Sequence, residues 1–146
     1  MSTTLLEVVT PDRVVVSHEV NMVSILTGGG ELGILPRHAE LAATVKPGIM
    51  RVKMPEGEDY IVVTGGFLEI RPDRVTVLAE TAEIGSRIDP DRAEAARRRA
   101  EQRLAERRAD LNVRRAEFAL QRAILRLEAA ELSKQVGTPF ERVLNK

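Results

Sequence analysis

Residues 88–136 read IDPDRAEAARRRAEQRLAERRADLNVRRAEFALQRAILRLEAAELSKQV, and from Asp91 to Val136 neither Gly nor Pro occurs. Ala, Arg, Glu and Leu dominate this run, and all are good helix formers. Asp89-Pro90-Asp91 is a helix start. The Asp89 carboxylate suits a free backbone N–H, Pro90 suits the first helical position, and Asp91 complements the macrodipole. The next stop signal is Gly137-Thr138-Pro139, after which residues 140–146 are expected to fray. Ala93, Ala96, Ala100 and Leu104 share one helix face, while Val113, Ala116, Leu120, Ala123, Leu127 and Ala130 form a second stripe with heptad steps. Between the stripes residues 107–112 are polar, and Asp110 or Asn112 suits the cap of a second helix. Small Ala side chains let two helices approach closely, so an antiparallel hairpin is the compact solution. An opened hairpin exposes both stripes and needs a partner to cover them. Two conformations of similar cost are therefore expected.

Upstream the texture differs. Short runs rich in Val, Ile and Leu recur at 5–10, 13–16, 20–27, 31–35, 49–54, 60–64, 67–70 and 74–79. Turn residues separate them: Pro11-Asp12, Gly28-Gly29-Gly30, Pro36, Pro47-Gly48, Pro55-Glu56-Gly57, Gly65-Gly66 and Pro72-Asp73. Val75, Val77 and Ala79 alternate with Arg74, Thr76 and Leu78, and Leu68 and Ile70 with Phe67 and Glu69. Short strands at this spacing indicate an antiparallel sandwich or flattened barrel. The expected fold is thus α+β and multidomain: an N-terminal antiparallel β-sandwich over residues 1–85, a two-helix antiparallel hairpin over 86–134, and a C-terminal tail over 135–146.

Charge supports the division. The 146 residues carry 22 Lys and Arg against 22 Asp and Glu, yet residues 1–85 hold 7 against 12 (net −5) and residues 86–146 hold 15 against 10 (net +5). Cysteine is absent, which excludes disulfides, thiolate catalysis and Cys-ligated zinc, and two His are too few for a histidine-rich metal site. Aromatic residues make up 3%, too few for a base-stacking platform. No window approaches the roughly 18 consecutive apolar residues of a membrane span. The start has no basic region followed by an apolar run, so a soluble chain that stays in the compartment where it is made is expected.

Catalytic chemistry finds little support. His18 and His38 have no nucleophile or metal-ligand spacing beside them and read as surface or turn histidines. Gly28-Gly29-Gly30 lacks the Lys-Ser/Thr pair of a phosphate loop and reads as a hairpin turn. Glu56, Glu58 and Asp59 read as a solvated loop. The helical arginines carry more information. Arg92 and Arg99 share a face, as do Arg115, Arg122 and Arg126. In a hairpin such guanidinium forks converge on a polyanion. Pattern alone favours a solvated basic face with pairs such as Glu94–Arg98 and Glu128 near Arg126.

Gly30-Glu31-Leu32-Gly33-Ile34-Leu35-Pro36-Arg37-His38-Ala39, Lys46-Pro47-Gly48 and Gly65-Gly66-Phe67-Leu68-Glu69-Ile70-Arg71-Pro72 resemble the epsilon subunits of F-type ATP synthases. So do Val9-Thr10-Pro11, Val75-Thr76-Val77-Leu78-Ala79-Glu80 and the Arg/Ala-rich helices, so that the resemblance runs from about residue 5 to about residue 134. It implies a noncatalytic central-stalk subunit of a proton-translocating enzyme, peripheral on the cytoplasmic face of a bacterial cell membrane and touching that membrane only through the complex. The implied partners are the gamma subunit, the ring of c subunits and, when the helices extend, the alpha/beta hexamer whose ATP hydrolysis they inhibit. Glu31 and His38 match the region facing the c ring.

A subset of bacterial epsilon subunits binds ATP through Ile or Leu, Asp, two variable residues, Arg and Ala. Ile88-Asp89-Pro90-Asp91-Arg92-Ala93 fits that pattern, and Glu83, Arg99, Arg122 and Arg126 match the accompanying positions. The resemblance implies no required cofactor, with ATP as a regulatory ligand of the folded hairpin. The alternatives are a free-standing ATP-sensing protein and an arginine-helix nucleic-acid adaptor. Nucleic acid is disfavoured by the neutral whole and by the Glu and Asp that interrupt the basic face.

Overall fold

Residues 2–106 and 112–144 are described by a computed structural model. The described residues form ten strands, most of them on alternating apolar and polar residues: β1 (Thr4–Val9), β2 (Val14–Val20), β3 (Met22–Thr27), β4 (Gly30–Ile34), β5 (Leu41–Val45), β6 (Gly48–Met54), β7 (Gly57–Val63), β8 (Gly66–Arg71), β9 (Arg74–Ala79) and β10 (Ala82–Ile84). They join in the order β10-β7-β6-β3-β5-β8-β9-β1-β2, with β4 also on β3. The sheet folds over so that the inward residues of both halves, among them Leu6, Val8, Ile25, Met50, Ile61, Leu68 and Val77, meet in one apolar cluster. In β9 the buried set is Val75, Val77 and Ala79, as the alternation requires.

The ladders are antiparallel with one exception: β1 runs parallel to β9, pairing Leu6 with Val75 and Val8 with Val77. Alternation specifies which face a strand buries and not which neighbour it takes, so the sequence does not reveal this pair. Two strands were likewise not expected. In β5 only Val45 is buried, so its register against β8 and not its own pattern makes it a strand. The other, β10, has three residues. Ser17, His18 and Glu19 fall in an expected gap but belong to β2, an edge strand paired with β1 alone.

A 3₁₀ turn (Gly85–Arg87) leads to α1 (Pro90–Glu106) and α2 (Val113–Val136). Asp89 caps α1 as anticipated, accepting at Oδ1 from the backbone N–H of Asp91 at 2.9 Å and of Arg92 at 3.4 Å. Asn112 caps α2, accepting from Arg115 N at 3.0 Å, and Asp110 lies outside the described residues. Gly137 ends α2 with φ 78°, the left-handed conformation that glycine adopts without a Cβ penalty. Ala93 and Ala100 of the first stripe and Ala116, Ala123 and Ala130 of the second are buried. Val62 of β7, Ile88, Ala93, Ala129 and Ala130 form a second apolar cluster that seats the hairpin on the sheet.

Residues 138–144 do not fray, and the last two positions of the expected frayed stretch, 145 and 146, lie outside the described residues. Pro139–Val143 forms a short helix, α3, and Phe140 is fully buried in the sandwich core beside partly buried Val143 and Leu144. The stop signal correctly ends α2, but residues 140, 143 and 144 also make a one-turn apolar face, which seeks a surface to cover. Asp59 is a second correction. It is not on a solvated loop but fully buried on β7, where it meets this tail. Of its two neighbours in that stretch, Glu58 pairs with Arg51 and Glu56 with His18.

At Gly85 a Cβ would lie 2.2 Å from Ser133 Oγ and 2.5 Å from the Ala129 carbonyl oxygen. The chain therefore passes α2 at a distance only glycine permits. Gly85→Ala is expected to force α2 outward and cost roughly 1–3 kcal/mol, typical of overpacking. Urea denaturation checks this, and an unchanged midpoint would contradict the close approach.

Candidate functional site

Alanine on both facing stripes brings α1 and α2 close, and the longer arginines at their edges arch over the seam. Ala96, Ala100, Ala116, Ala119 and Ala123 floor a cleft of about 340 Å³ whose walls are Arg99, Arg103, Arg122 and Arg126. Among the described residues no carboxylate lines it. Clefts of this size are within the range that small ligands occupy. Four guanidinium groups from two helices give the cleft the chemistry to hold an anion, since each fork presents several donors in one plane.

Within the cleft the arginines differ. Arg126 Nη2 donates to Glu83 Oε2 at 3.1 Å. Its Nε lies 2.9 Å from Glu83 Oε1, but that N–H is not aligned with the oxygen and stays buried without a hydrogen bond. Among the described residues no ion pair involves Arg99 or Arg122, and both are exposed. The pairing of Arg126 with Glu128 does not form. The expected Glu94–Arg98 pair does form, Glu94 also takes Arg97, and the hydrogen bond from Arg97 holds the Glu94 carboxyl below its usual range. Those pairs occupy residues outside the cleft, which keeps their carboxylates away from it.

The other sequence-marked residues divide. Ile88 and Ala93 are buried in the cluster between hairpin and sheet, so an apolar residue at each is required by packing. Asp89 is the cap of α1. Arg92 is exposed on the first turn of α1 and does not line the cleft, whereas Arg103, which the sequence reading did not single out, does. The signal was available: Arg103 follows Arg99 by one helical turn. Glu31 on β4 accepts from Ser24 Oγ at 2.7 Å, and His38 lies beyond the other end of that strand, its Nδ1 2.7 Å from the Ala39 carbonyl oxygen. Gly28 and Gly29 form the two-residue turn of the β3–β4 hairpin, with Thr27 opposite Gly30.

A double-mutant cycle with Glu83→Ala and Arg126→Ala, read by urea denaturation, is expected to give a coupling of at most ~1 kcal/mol, because Glu83 is 39% exposed. A coupling above ~3 kcal/mol would bind Arg126 too firmly to Glu83 for it to turn toward an anion.

Residues 3–85 match the family model of the β-sandwich domain of the ATP synthase delta/epsilon chain, and residues 86–131 match that of its long α-helix domain. The chain is 48% identical over 132 residues to the ATP synthase epsilon chain of Bacillus cytotoxicus, an alignment covering 90% of this chain and 99% of that one. It is 48% identical over 131 residues to the epsilon chain of Halalkalibacterium halodurans, covering 89% and 98%. Among solved structures it is similar to a chain in the cryo-EM structure of Euglena gracilis mitochondrial ATP synthase, with a TM-score of 0.73 at 25% identity, over 89% of this chain and 82% of that chain. A Tetrahymena thermophila mitochondrial ATP synthase chain shares the fold at 11% identity with a TM-score of 0.55, over 88% of this chain and 93% of that chain.

Proposed function

The chain belongs to the ATP synthase epsilon-chain family, and on that premise we propose that it is a noncatalytic coupling subunit of the central stalk whose sandwich grips the gamma subunit. The observation that carries this is a row of apolar side chains on the outer face of the sheet. Phe67, Leu78, Val9 and Val14 stand in register across β8, β9, β1 and β2. Phe67 is 63% exposed, Leu78 53% and Val14 58%. Two residues along, the same face turns polar at Glu69, Thr76, Glu7 and Ser17. An apolar row with a polar border suits a permanent protein contact. Glu31 and His38 are the side chains we assign to the c ring, with the complex at the cytoplasmic face of the membrane. No helix among the described residues is long and apolar enough to cross that membrane itself. Because the row is exposed, Phe67→Glu/Leu78→Glu is expected to fold normally and to weaken capture by gamma at least tenfold in a pull-down titration. Unchanged capture would sink this assignment.

The arginine cleft supports ATP as the regulatory ligand. A triphosphate needs several cationic donors at once, and the cleft supplies them only while α1 and α2 lie side by side. Its ligand therefore favours the folded hairpin by nearly its whole binding energy over a form that extends toward the alpha/beta hexamer and inhibits hydrolysis. Each charge-assisted hydrogen bond contributes on the order of 1.5–3 kcal/mol. Arg99→Ala/Arg122→Ala is expected to lower ATP affinity about a hundredfold or more by calorimetry. Undetectable binding by the unaltered protein at millimolar ATP, or equal binding by the double variant, would return these arginines to a solvated basic face.

A further inference from the structure

Two separated pieces of chain converge on one buried carboxylate. Asp59 lies on β7 and is fully buried. Its Oδ1 accepts from Ser133 Oγ on α2 at 3.1 Å and from Tyr60 N at 2.8 Å, while its Oδ2 accepts from the backbone N–H of Phe140 at 3.0 Å. Burial pushes this carboxyl above its ordinary range, against the opposing pull of the Phe140, Tyr60 and Ser133 donors. The segment following α2 is fastened at further points. Phe140 is 0% exposed and belongs to the sandwich core, although it stands more than fifty residues beyond the last strand. Pro139 lies against Gly57, where a Cβ would be 3.5 Å from its ring. Arg142 donates through Nη2 to the Glu56 carbonyl oxygen at 3.0 Å and through Nη1 to that of Gly137 at 2.7 Å. Glu141 accepts from Ser86 Oγ at 2.8 Å and Arg87 Nε at 2.9 Å, so the tail also clasps the turn that enters the hairpin.

We infer that the segment from Gly137 to Leu144 is an internal latch, which clamps the C-terminal end of α2 to the sandwich and must withdraw before the hairpin can leave it. The contacts make release cooperative. Removing the tail takes Phe140 out of an apolar core that otherwise holds strand residues only, and a buried Phe covers roughly 150–250 Å². It also strips Asp59 of one of its donors and uncovers it, and an under-bonded buried carboxylate favours hydration over staying closed against Ser133. Each half of the clamp thus weakens when the other lets go. The cluster under the helices has no aromatic side chain: it buries Ile88 among Val62, Ala93, Ala129 and Ala130, and its leucines Leu125 and Leu127 are only partly buried. The latch lies beyond the region matched by the family helix model, which stops at residue 131. It is a property of the isolated chain and requires neither ATP nor a partner.

The test is amide hydrogen exchange, comparing the unaltered chain, Phe140→Ala and a chain ending at Gly137. In both altered proteins, amides of residues 123–136 are expected to exchange at least tenfold faster while those of β1 and β9 keep their protection. Unchanged exchange over residues 123–136 in either altered protein would overturn the inference. So would an equal loss of protection in β1 and β9, because Phe140 would then be a core residue of the sandwich whose loss loosens the whole domain and not a fastening for α2.

Discussion

A hairpin built on alanine buries little apolar surface for its length. At about 25 cal/mol per Å² a seam of methyl groups yields far less than one of leucines, and most helical stability in proteins comes from tertiary packing. The position of the whole C-terminal half therefore depends on how closely α2 lies against the end of the sandwich. That approach is set at Gly85, where the absent Cβ leaves room for the Ala129 carbonyl and the Ser133 hydroxyl. Ile88 and Ala93 then reach Val62 of β7, and Ser133 reaches Asp59. With α2 held there, Arg122 and Arg126 face Arg99 and Arg103 across the seam. The arginine-lined cleft is thus a consequence of small-residue packing.

This arrangement joins a firm module to a weakly seated one. The sandwich has a continuous core of Val, Ile, Leu and Met from every part of the sheet, together with Phe140. An attachment surface there holds its shape. The hairpin, by contrast, combines a small contact area with four mutually repelling guanidinium groups around one cleft, of which Arg126 alone shows an ion pair among the described residues. An anion relieves that repulsion and opening the hairpin relieves it equally well. The same residues can accordingly favour either state, and a ligand decides between them only through its differential affinity.

Much of the fold is legible in the residues themselves. The Asp89-Pro90 start, the Asn112 cap and the Gly137 stop fix the helices because capping chemistry is local, and β9 declares its buried face because its period is two. The parallel β1–β9 pair is not legible, since it is a long-range choice between edges that alternation leaves equal. Nor is the fate of Asp59: beside Glu56 and Glu58 it reads as one of a solvated acidic trio, and only its tertiary partners Ser133 and Phe140 make burial tolerable. In the candidate site, helical spacing brings Arg99, Arg122 and Arg126 together as expected. It also reaches Arg103 and leaves Arg92 outside, because which edge of a helix overlooks a seam depends on the crossing of the two axes and not on either sequence alone.

The central claim is that the hairpin is a detachable unit on a fixed sandwich. Because the chain has no cysteine, Lys53→Cys on β6 and Glu131→Cys on α2 give two unique labelling sites, both exposed. Electron–electron double resonance between spin labels at these positions should give a single short distance in the isolated protein. In the assembled synthase without added nucleotide, a second and longer population should appear. The same single short distance in both samples would show that the hairpin does not leave the sandwich and would contradict the account.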